Sequence, residues 1–291
     1  MLLELNKSHI KSGKTNQITG SKSESNRLLL LQSLFSDIEI KNLSNSDDSN
    51  LMQKALSSNS DLIDIHHAGT AMRFLTAYFA VQNNRTVTLT GSSRMKERPI
   101  KILVDALRGL GADITYLENQ GYPPLLIKGN NLNKNTVTLK ANVSSQYISA
   151  LLLIAPKLDK GLKLNLDGKI TSIPYIKMTL ALLEQIGVET SFQANTIVVK
   201  PLQKTLNKTD LIVESDWSSA SYFYSIIALS DLEAHITLSA YKEHSLQGDA
   251  SLAEIYKQFG VETHFENNTI TLTKSQAIQI QLSLIYPILQ I

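Results

Sequence analysis

Val143-Ser-Ser-Gln-Tyr-Ile-Ser-Ala-Leu151 is a run of small, hydroxyl-bearing residues that opens into an apolar segment typical of a helix. Two similar segments occur elsewhere in the chain: Ala68-Gly-Thr-Ala-Met-Arg-Phe-Leu75 and Asp216-Trp-Ser-Ser-Ala-Ser-Tyr-Phe223. Successive distances of 75 and 74 residues separate the hydroxyl positions Thr70, Ser145 and Ser219. Such regular spacing predicts that one structural unit is repeated along the chain.

A second series of segments follows the same period. Each reads as the end of an amphipathic helix, a Gly at the helix stop, and a strand: Leu107-Arg-Gly-Leu-Gly-Ala-Asp-Ile-Thr115, Leu183-Glu-Gln-Ile-Gly-Val-Glu-Thr190 and Tyr256-Lys-Gln-Phe-Gly-Val-Glu-Thr263. Distances of 76 and 73 residues separate Gly111, Gly187 and Gly260. Because two independent series share one period, the chain is predicted to be a repeat-built α/β protein.

Within a repeat, the order reads as helix, strand, helix and then two strands. Short runs of β-forming residues bounded by Gly, Asn or Pro predict strands at 136–139, 162–166, 189–192 and 196–199. The segments Gln193-Ala-Asn195 and Glu266-Asn-Asn268 stand where tight hairpin turns are needed.

The N-terminal stretch Thr19-Gly-Ser-Lys-Ser-Glu-Ser-Asn-Arg27 carries residues suited to binding an anion. Gly20 permits a tight turn, the following helix start offers free N–H groups, and Lys22 and Arg27 add positive charge. The alternative is that Ser21 or Ser23 caps the helix and that both cations are solvated.

Composition limits the classes of function. The chain has 291 residues, is 43% hydrophobic and carries a net charge of +2 from 28 basic and 26 acidic residues. The charges are well mixed, so nucleic acid is not an expected partner. No membrane span or signal peptide is predicted, which makes a cytoplasmic location the default. Without cysteine, disulfides, thiolate metal sites and a cysteine nucleophile are excluded.

Seven motifs together resemble the 5-enolpyruvylshikimate-3-phosphate synthase family, in the family's order and over nearly the whole chain. They are Gly20-Ser-Lys-Ser-Glu-Ser-Asn-Arg27, Ala68-Gly-Thr-Ala-Met-Arg73, Arg94-Met-Lys-Glu-Arg-Pro99, Val143-Ser-Ser-Gln146, Ile170-Thr-Ser-Ile-Pro-Tyr175, Ser218-Ser-Ala-Ser-Tyr-Phe223 and Gln247-Gly-Asp249. The resemblance implies an α/β (α+β) fold, the enolpyruvyl transferase-like inside-out barrel of repeated β-α-β-α-β-β units in two domains. It also implies transfer of the enolpyruvyl group of phosphoenolpyruvate to the 5-hydroxyl of shikimate 3-phosphate with release of phosphate, in aromatic amino-acid biosynthesis and without a cofactor or metal.

The family pattern implies two sets of binding residues. The set expected to hold shikimate 3-phosphate is Ser23, Arg27, Ser144, Ser145, Gln146, Ser172 and Tyr175. The set expected to hold phosphoenolpyruvate is Lys22, Gly69, Arg98 and Gln146, and Lys22 is also expected to assist proton transfer.

Structural explanations stand beside these roles. Thr70 and Ser145 are alternatively helix caps, Arg98 a solvated residue at a helix start, and Tyr175 a core residue. Trp217 is expected to pack rather than to bind. His66 and His67 are interpreted as structural, because neighbours on an extended segment point in opposite directions.

Two departures from the family pattern lie near the phosphoenolpyruvate residues, where His67 replaces Asn and Phe74 replaces Pro. The C-terminal departure is larger. The next repeat helix is due near residue 293, the family's catalytic Asp is missing around Pro287, and residues 278–291 carry no charge. We expect a truncated or frame-altered end, a complete three-repeat domain over residues 19–214, and a partial domain over 1–18 and 215–291.

The partial domain leads to an expectation about association. The family resemblance implies a monomer for the full-length protein. An incomplete domain exposes unpaired strands and apolar surface, so we expect this chain to self-associate. A monodisperse monomer in size-exclusion chromatography would contradict this expectation.

Three functional hypotheses remain from the sequence. The first is the shikimate-pathway transferase, and the second is a catalytically inactive fragment that binds shikimate 3-phosphate only, because half of the cleft is missing. The third is the related transferase acting on UDP-N-acetylglucosamine, against which the lack of cysteine and the Lys22-Ser23 pair argue.

Overall fold

Helices and strands alternate along the chain in the computed structural model, which describes residues 10, 12–14, 18–171, 173–202 and 208–277. The helices are α1 (Lys22–Leu34), α2 (Asp47–Ser57), α3 (Gly69–Ala80), α4 (Ser93–Lys96), α5 (Lys101–Leu110), α6 (Ser145–Ile154), α7 (Ile173–Gln185), α8 (Trp217–Ala228) and α9 (Leu252–Lys257). Short 3₁₀ turns cover Ala155–Lys157 and Gly248–Ser251.

The strands are short, and each predicted one is present. They are β1 (Gly13–Lys14), β2 (Ile38–Lys41), β3 (Leu62–Asp64), β4 (Thr86–Thr90), β5 (Asp113–Tyr116), β6 (Leu125–Lys128), β7 (Thr136–Lys140), β8 (Leu162–Asp167), β9 (Thr190–Gln193), β10 (Thr196–Val199), β11 (Thr209–Ile212), β12 (His235–Ser239), β13 (Val261–Glu266) and β14 (Thr269–Lys274). The four predicted strands correspond to β7, β8, β9 and β10, with bounds shifted by no more than one residue.

Glycines end the helices where the sequence predicts. Gly111, Gly187 and Gly260 all have positive φ, at 114°, 82° and 71°, which is the left-handed conformation that an L side chain rarely adopts. The predicted hairpin turns are confirmed as well, since Ala194 and Asn268 adopt positive φ between paired strands.

The repeat is visible as one sheet topology used three times. The sheets β3-β4-β6-β5, β7-β8-β10-β9 and β1-β12-β14-β13 each pair their first two strands in parallel and the others antiparallel. A helix lies between consecutive strands of the parallel pairs β3-β4 and β7-β8. The observed unit is therefore strand, helix, strand, helix and hairpin, which is the β-α-β-α-β-β unit that the family resemblance implies and adds one strand to the order read from the residues alone.

The chain forms two compact units, Gly20–Val213 and the combination of Met1–Thr19 with Glu214–Ile291. Strand pairing follows this division. The strand β1 precedes α1 in sequence but pairs with β12, whereas β11 precedes α8 but pairs in parallel with β2.

One repeat of the Gly20–Val213 unit is shorter than the other two. Only residues 58–61 separate the end of α2 from the start of β3, so this fully described stretch has no hairpin. Among the described residues, its sheet consists of β2 and β11. The unit thus contains three repeats, of which two are full and one is abbreviated.

The core of the Gly20–Val213 unit is built around α1, α3 and α6. Every residue of α3 is buried, as are Leu28 to Leu31 of α1 and all of α6 from Tyr147 onward. The helices α3 and α6 are mainly apolar around their circumference, which is typical of a helix surrounded by other elements, whereas α1 also buries the polar side chains of Glu24, Asn26 and Arg27. The equivalent helix of the other unit differs, because α8 exposes Tyr222 and Ile226, and Leu229 directly after its end is also exposed.

Trp217 lies in the core of that other unit, as predicted. Its side chain is fully buried, and its ring contacts Tyr224, Tyr241 and Phe265. Among the described helices, none combines the length and the apolar character that crossing a membrane would require.

Candidate active site

The N-terminal ends of α1, α3 and α6 lie at the same end of the Gly20–Val213 unit. Gln146 and Thr70 are each the second residue of their helix, and Gln146 Nε2 donates to Thr70 Oγ1 over 3.3 Å. One turn deeper, Arg27 of α1 donates to Ser149 of α6 and lies 5.5 Å from the Phe74 ring of α3. Residues at the helix starts contact one another, and so do residues one turn further along each helix, so the three helices run in the same direction.

Two of these helix ends lack a capping side chain. Neither Ser21, which precedes α1, nor Ala68, which precedes α3, accepts a hydrogen bond through its side chain. The end of α6 is capped weakly, since Ser144 Oγ accepts from Gln146 N at 3.3 Å. Uncapped first-turn N–H groups and the positive ends of the helix dipoles favour an anion at this position.

Arg27 is the cation beneath these helix ends. It is only 3% exposed, and it donates from Nε to Thr179 Oγ1 at 2.8 Å, from Nη1 to the Ser23 carbonyl at 2.7 Å and from Nη2 to Ser149 Oγ at 2.9 Å. Burial lowers its pKa to about 10, partly opposed by Tyr175 and Glu24, so it is charged at neutral pH. Within the described residues, these bonds use three of its five N–H groups, so that two are available to a ligand.

Tyr175 and Ser23 adjoin Arg27. The Tyr175 ring lies 5.8 Å from the Arg27 guanidinium carbon and is 44% exposed, so it is not a core residue. The Ser23 side chain is half-buried beside the exposed Lys22. The structure therefore groups Lys22, Ser23, Arg27 and Tyr175 at one end of the unit.

Gly69 and Arg98 are in direct contact. A Cβ on Gly69 would lie 2.9 Å from Cζ of Arg98 and closer still to one of its nitrogens. Arg98 is exposed, in contrast to Arg27. The first backbone position of α3 and the guanidinium of an exposed cationic side chain therefore share one surface.

Ser144 is exposed and Ser145 half-buried at the start of α6. Ser172, the remaining predicted residue, lies outside the described residues.

Arg73 belongs to the same region and was not selected from the sequence. It is 5% exposed, donates from Nη1 to the Gly69 carbonyl at 3.0 Å and from Nη2 to the Pro99 carbonyl at 3.3 Å. Its Nε is buried without a partner among the described residues. Burial, and next the charge of Arg98, lower its pKa. Its place in Ala-Gly-Thr-Ala-Met-Arg was the available signal, but its contact with Pro99 joins residues 26 apart in sequence.

His66 and His67 form a turn instead of the extended segment assumed from the sequence. His66 has φ of 50°, and both side chains are exposed. His67 Nε2 lies 3.9 Å from a carboxylate oxygen of Asp47. In the part of the chain that the structure describes, no three His, Asp or Glu side chains are grouped to hold a metal ion.

Known proteins resemble this chain in sequence. The family model for EPSP synthase (3-phosphoshikimate 1-carboxyvinyltransferase) matches residues 54–286. A 3-phosphoshikimate 1-carboxyvinyltransferase of Bacteroides fragilis is 48% identical over 263 residues, which cover 90% of this chain and 63% of that protein. A 3-phosphoshikimate 1-carboxyvinyltransferase of Colwellia psychrerythraea is 39% identical over 285 residues, which cover 88% of this chain and 66% of that protein. The chain thus spans about two thirds or less of the length of these relatives.

A solved structure shares the fold. EPSP synthase from Acinetobacter baumannii superposes with a TM-score of 0.75 at 21% sequence identity, covering 93% of this chain and 67% of that chain. The predicted fold class is therefore confirmed.

Proposed function

This chain belongs to the EPSP synthase family, and on that premise we propose that it transfers the enolpyruvyl group of phosphoenolpyruvate to the 5-hydroxyl of shikimate 3-phosphate, releasing phosphate. One observation carries the proposal for this chain's own residues. Uncapped helix ends, the buried guanidinium of Arg27 and the exposed guanidinium of Arg98 are grouped at one end of the Gly20–Val213 unit. Two anionic substrates need such an arrangement of donors and cations.

Shikimate 3-phosphate would contact Ser23, Arg27, Gln146 and Tyr175, with Ser144, Ser145 and Ser172 near its phosphate. Arg27 supports this assignment because its bonds to Ser149 and Thr179 fix the guanidinium, and two of its N–H groups have no partner in the described part of the chain. A rigid donor binds a carboxylate or hydroxyl with a smaller loss of side-chain entropy than a free one.

Phosphoenolpyruvate would contact Lys22, Gly69, Arg98 and Gln146. The lack of a side chain at Gly69 supports this assignment, because it lets Arg98 lie directly on the start of α3. Gln146 reaches the same helix end through Thr70. The transfer joins the 5-hydroxyl oxygen to the vinyl carbon that carries the phosphate, and the bond from that carbon to the phosphate oxygen breaks. The exposed Lys22 is the group proposed to assist proton transfer.

The test is phosphate release from phosphoenolpyruvate in the presence of shikimate 3-phosphate, with calorimetric binding of shikimate 3-phosphate to the same preparation. Turnover that disappears in Lys22→Met is the expected result. A matched control is Lys128→Met. Lys128, on β6, is also exposed, but its ammonium lies 3.7 Å from Asp113 on β5, away from the helix ends.

The other outcomes separate the remaining hypotheses. Binding without turnover would leave a fragment that only holds shikimate 3-phosphate. Release of phosphate with UDP-N-acetylglucosamine instead would assign the related transferase reaction. Absence of both binding and turnover would overturn the proposal. A cytoplasmic location is part of the proposal, and cell fractionation tests it.

A further inference from the structure

The carbonyl of Pro99 accepts two hydrogen bonds from buried side chains. Tyr147 Oη donates to it at 2.7 Å, and Arg73 Nη2 donates at 3.3 Å. Proline has no backbone N–H, so this carbonyl is the only backbone hydrogen-bonding group of residue 99. Its neighbour in sequence is Arg98.

Both donors belong to buried helices of the core. Arg73 is in α3 and Tyr147 is in α6, and they are 5% and 6% exposed. Arg73 also donates from Nη1 to the Gly69 carbonyl at 3.0 Å. One guanidinium thereby links the start of α3 to the segment that carries Arg98.

The backbone on either side of Pro99 is held independently. Arg98 N donates to Met95 O at 3.0 Å, and Ile100 N donates to Gly121 O at 2.9 Å. With the Pro99 carbonyl also fixed, the rotation that would carry the Arg98 side chain away from Gly69 is opposed at three consecutive residues. Buried donors with few alternative partners make such bonds costly to break.

We infer that Tyr147 is a positioning residue: through the Pro99 carbonyl its hydroxyl, together with Arg73, holds the Arg98 guanidinium against Gly69 for phosphoenolpyruvate. This inference rests on the proposed function. The preceding residue, Gln146, points to Thr70 at the start of α3. Two consecutive residues of α6 therefore serve one site, Gln146 at the helix end and Tyr147 through the Arg98 segment.

The test is Tyr147→Phe, which removes the hydroxyl and keeps the buried ring. The matched control is Tyr116→Phe, because the Tyr116 hydroxyl is buried without a hydrogen-bond partner among the described residues. Two measurements are made on each protein: the affinity for phosphoenolpyruvate and for shikimate 3-phosphate, and amide hydrogen exchange over residues 98–101.

We expect Tyr147→Phe to raise the KM or Kd for phosphoenolpyruvate about three- to tenfold, because one buried hydrogen bond is lost. Shikimate 3-phosphate affinity stays within about twofold, and exchange over residues 98–101 becomes at least about threefold faster. Tyr116→Phe changes neither. If Tyr147 had only a structural role, Tyr147→Phe would instead lower the melting temperature and reduce the affinity for both substrates.

The outcomes distinguish this inference from the proposed function. If wild-type protein binds both substrates and Tyr147→Phe behaves like wild type in affinity and exchange, the positioning role is overturned and the function stands. If wild-type protein binds neither substrate, the proposed function fails and the positioning role for phosphoenolpyruvate fails with it. Hydrogen exchange then still reports whether the Tyr147 hydroxyl holds the Arg98 segment.

Discussion

The helix starts of α3 and α8 occupy the same position in their repeats but differ in capping and charge. Ala68 provides no side-chain cap for α3, and the buried side chains near this helix start include the cations Arg27 and Arg73. At α8, Asp216 accepts from Ser218 N at 2.8 Å, and Gln247 Oε1 accepts from Trp217 N at 3.1 Å.

Carboxylates surround the start of α8. Glu214 is 2% exposed and accepts from Trp217 Nε1 at 2.8 Å and from Ser245 Oγ at 2.6 Å. The Ser218 hydroxyl donates to Asp249. The start of α8 is thus satisfied by the protein's own oxygens, whereas α3 begins without a capping side chain. We therefore expect an anion to bind at the start of α3 and not at that of α8.

The largest effect is expected from Arg27→Met, which removes the buried positive charge from the uncapped ends. We expect shikimate 3-phosphate to bind about 30- to 100-fold more weakly, because a hydrogen bond to a charged group is lost. The free energy of unfolding should change by less than about 2 kcal/mol, since methionine also avoids the desolvation of the guanidinium.

Calorimetry and urea denaturation measure these two quantities. Arg108→Met is the matched control, because Arg108 donates to the Ile114 carbonyl and lies 5.0 Å from the Tyr116 ring, away from the helix ends. If Arg27→Met bound shikimate 3-phosphate with wild-type affinity, Arg27 would have only a structural role. The difference in buried charge between the starts of α3 and α8 would then not explain substrate binding.

A smaller effect is expected from Gly69→Ala. The new Cβ would meet the Arg98 guanidinium, whose flexible side chain must then move away from the start of α3. We expect KM for phosphoenolpyruvate to rise about tenfold, with shikimate 3-phosphate affinity unchanged.

Gly109→Ala tests whether any added methyl group has this effect. Gly109 also lies within a helix, α5, and a Cβ there would meet no atom within 4 Å. Equal steady-state constants for Gly69→Ala and wild type would show that contact between Gly69 and Arg98 is not needed for binding.

Local sequence signals predicted much of the fold. The three Gly helix stops, the paired strands of 190–193 and 196–199, and the hairpin at Asn267 depend on backbone conformations that only certain residues favour. The family resemblance placed β1 and β11 in different domains, but the residues alone did not indicate that β1 pairs with β12 and β11 with β2, because strand pairing depends on distant segments. The shortened first repeat corresponds to a spacing of 49 residues between Ser21 and Thr70, against 75 and 74 for the later intervals.

The candidate site, like the fold, was predicted from the sequence only in part. Sequence motifs identified Gly69 and Arg98, which the structure brings together, and Arg27, which it places beneath the helix ends. The motifs did not indicate that Arg27 would be buried, nor that Arg73 and Tyr147 would share one carbonyl. Burial and hydrogen-bond geometry arise from helix packing, which no single segment encodes.

The smallest effect is expected from Asp216→Ala, which opens the capped end of α8. We expect the free energy of unfolding of the unit formed by Met1–Thr19 and Glu214–Ile291 to fall by about 1 kcal/mol, the usual cost of losing an N-cap. Trp217 is the only Trp and lies in the core of this unit, so its fluorescence during urea denaturation reports on this unit.

Asp216→Asn is the matched control for Asp216→Ala, because asparagine caps as well as aspartate but carries no charge. It should retain most of the stability that alanine loses, and both variants should bind shikimate 3-phosphate like wild type, since its proposed contacts lie in Gly20–Val213. Equal urea midpoints for the two variants would attribute the loss to charge rather than to the cap. The two helix starts would then differ mainly in the sign of their surrounding charge.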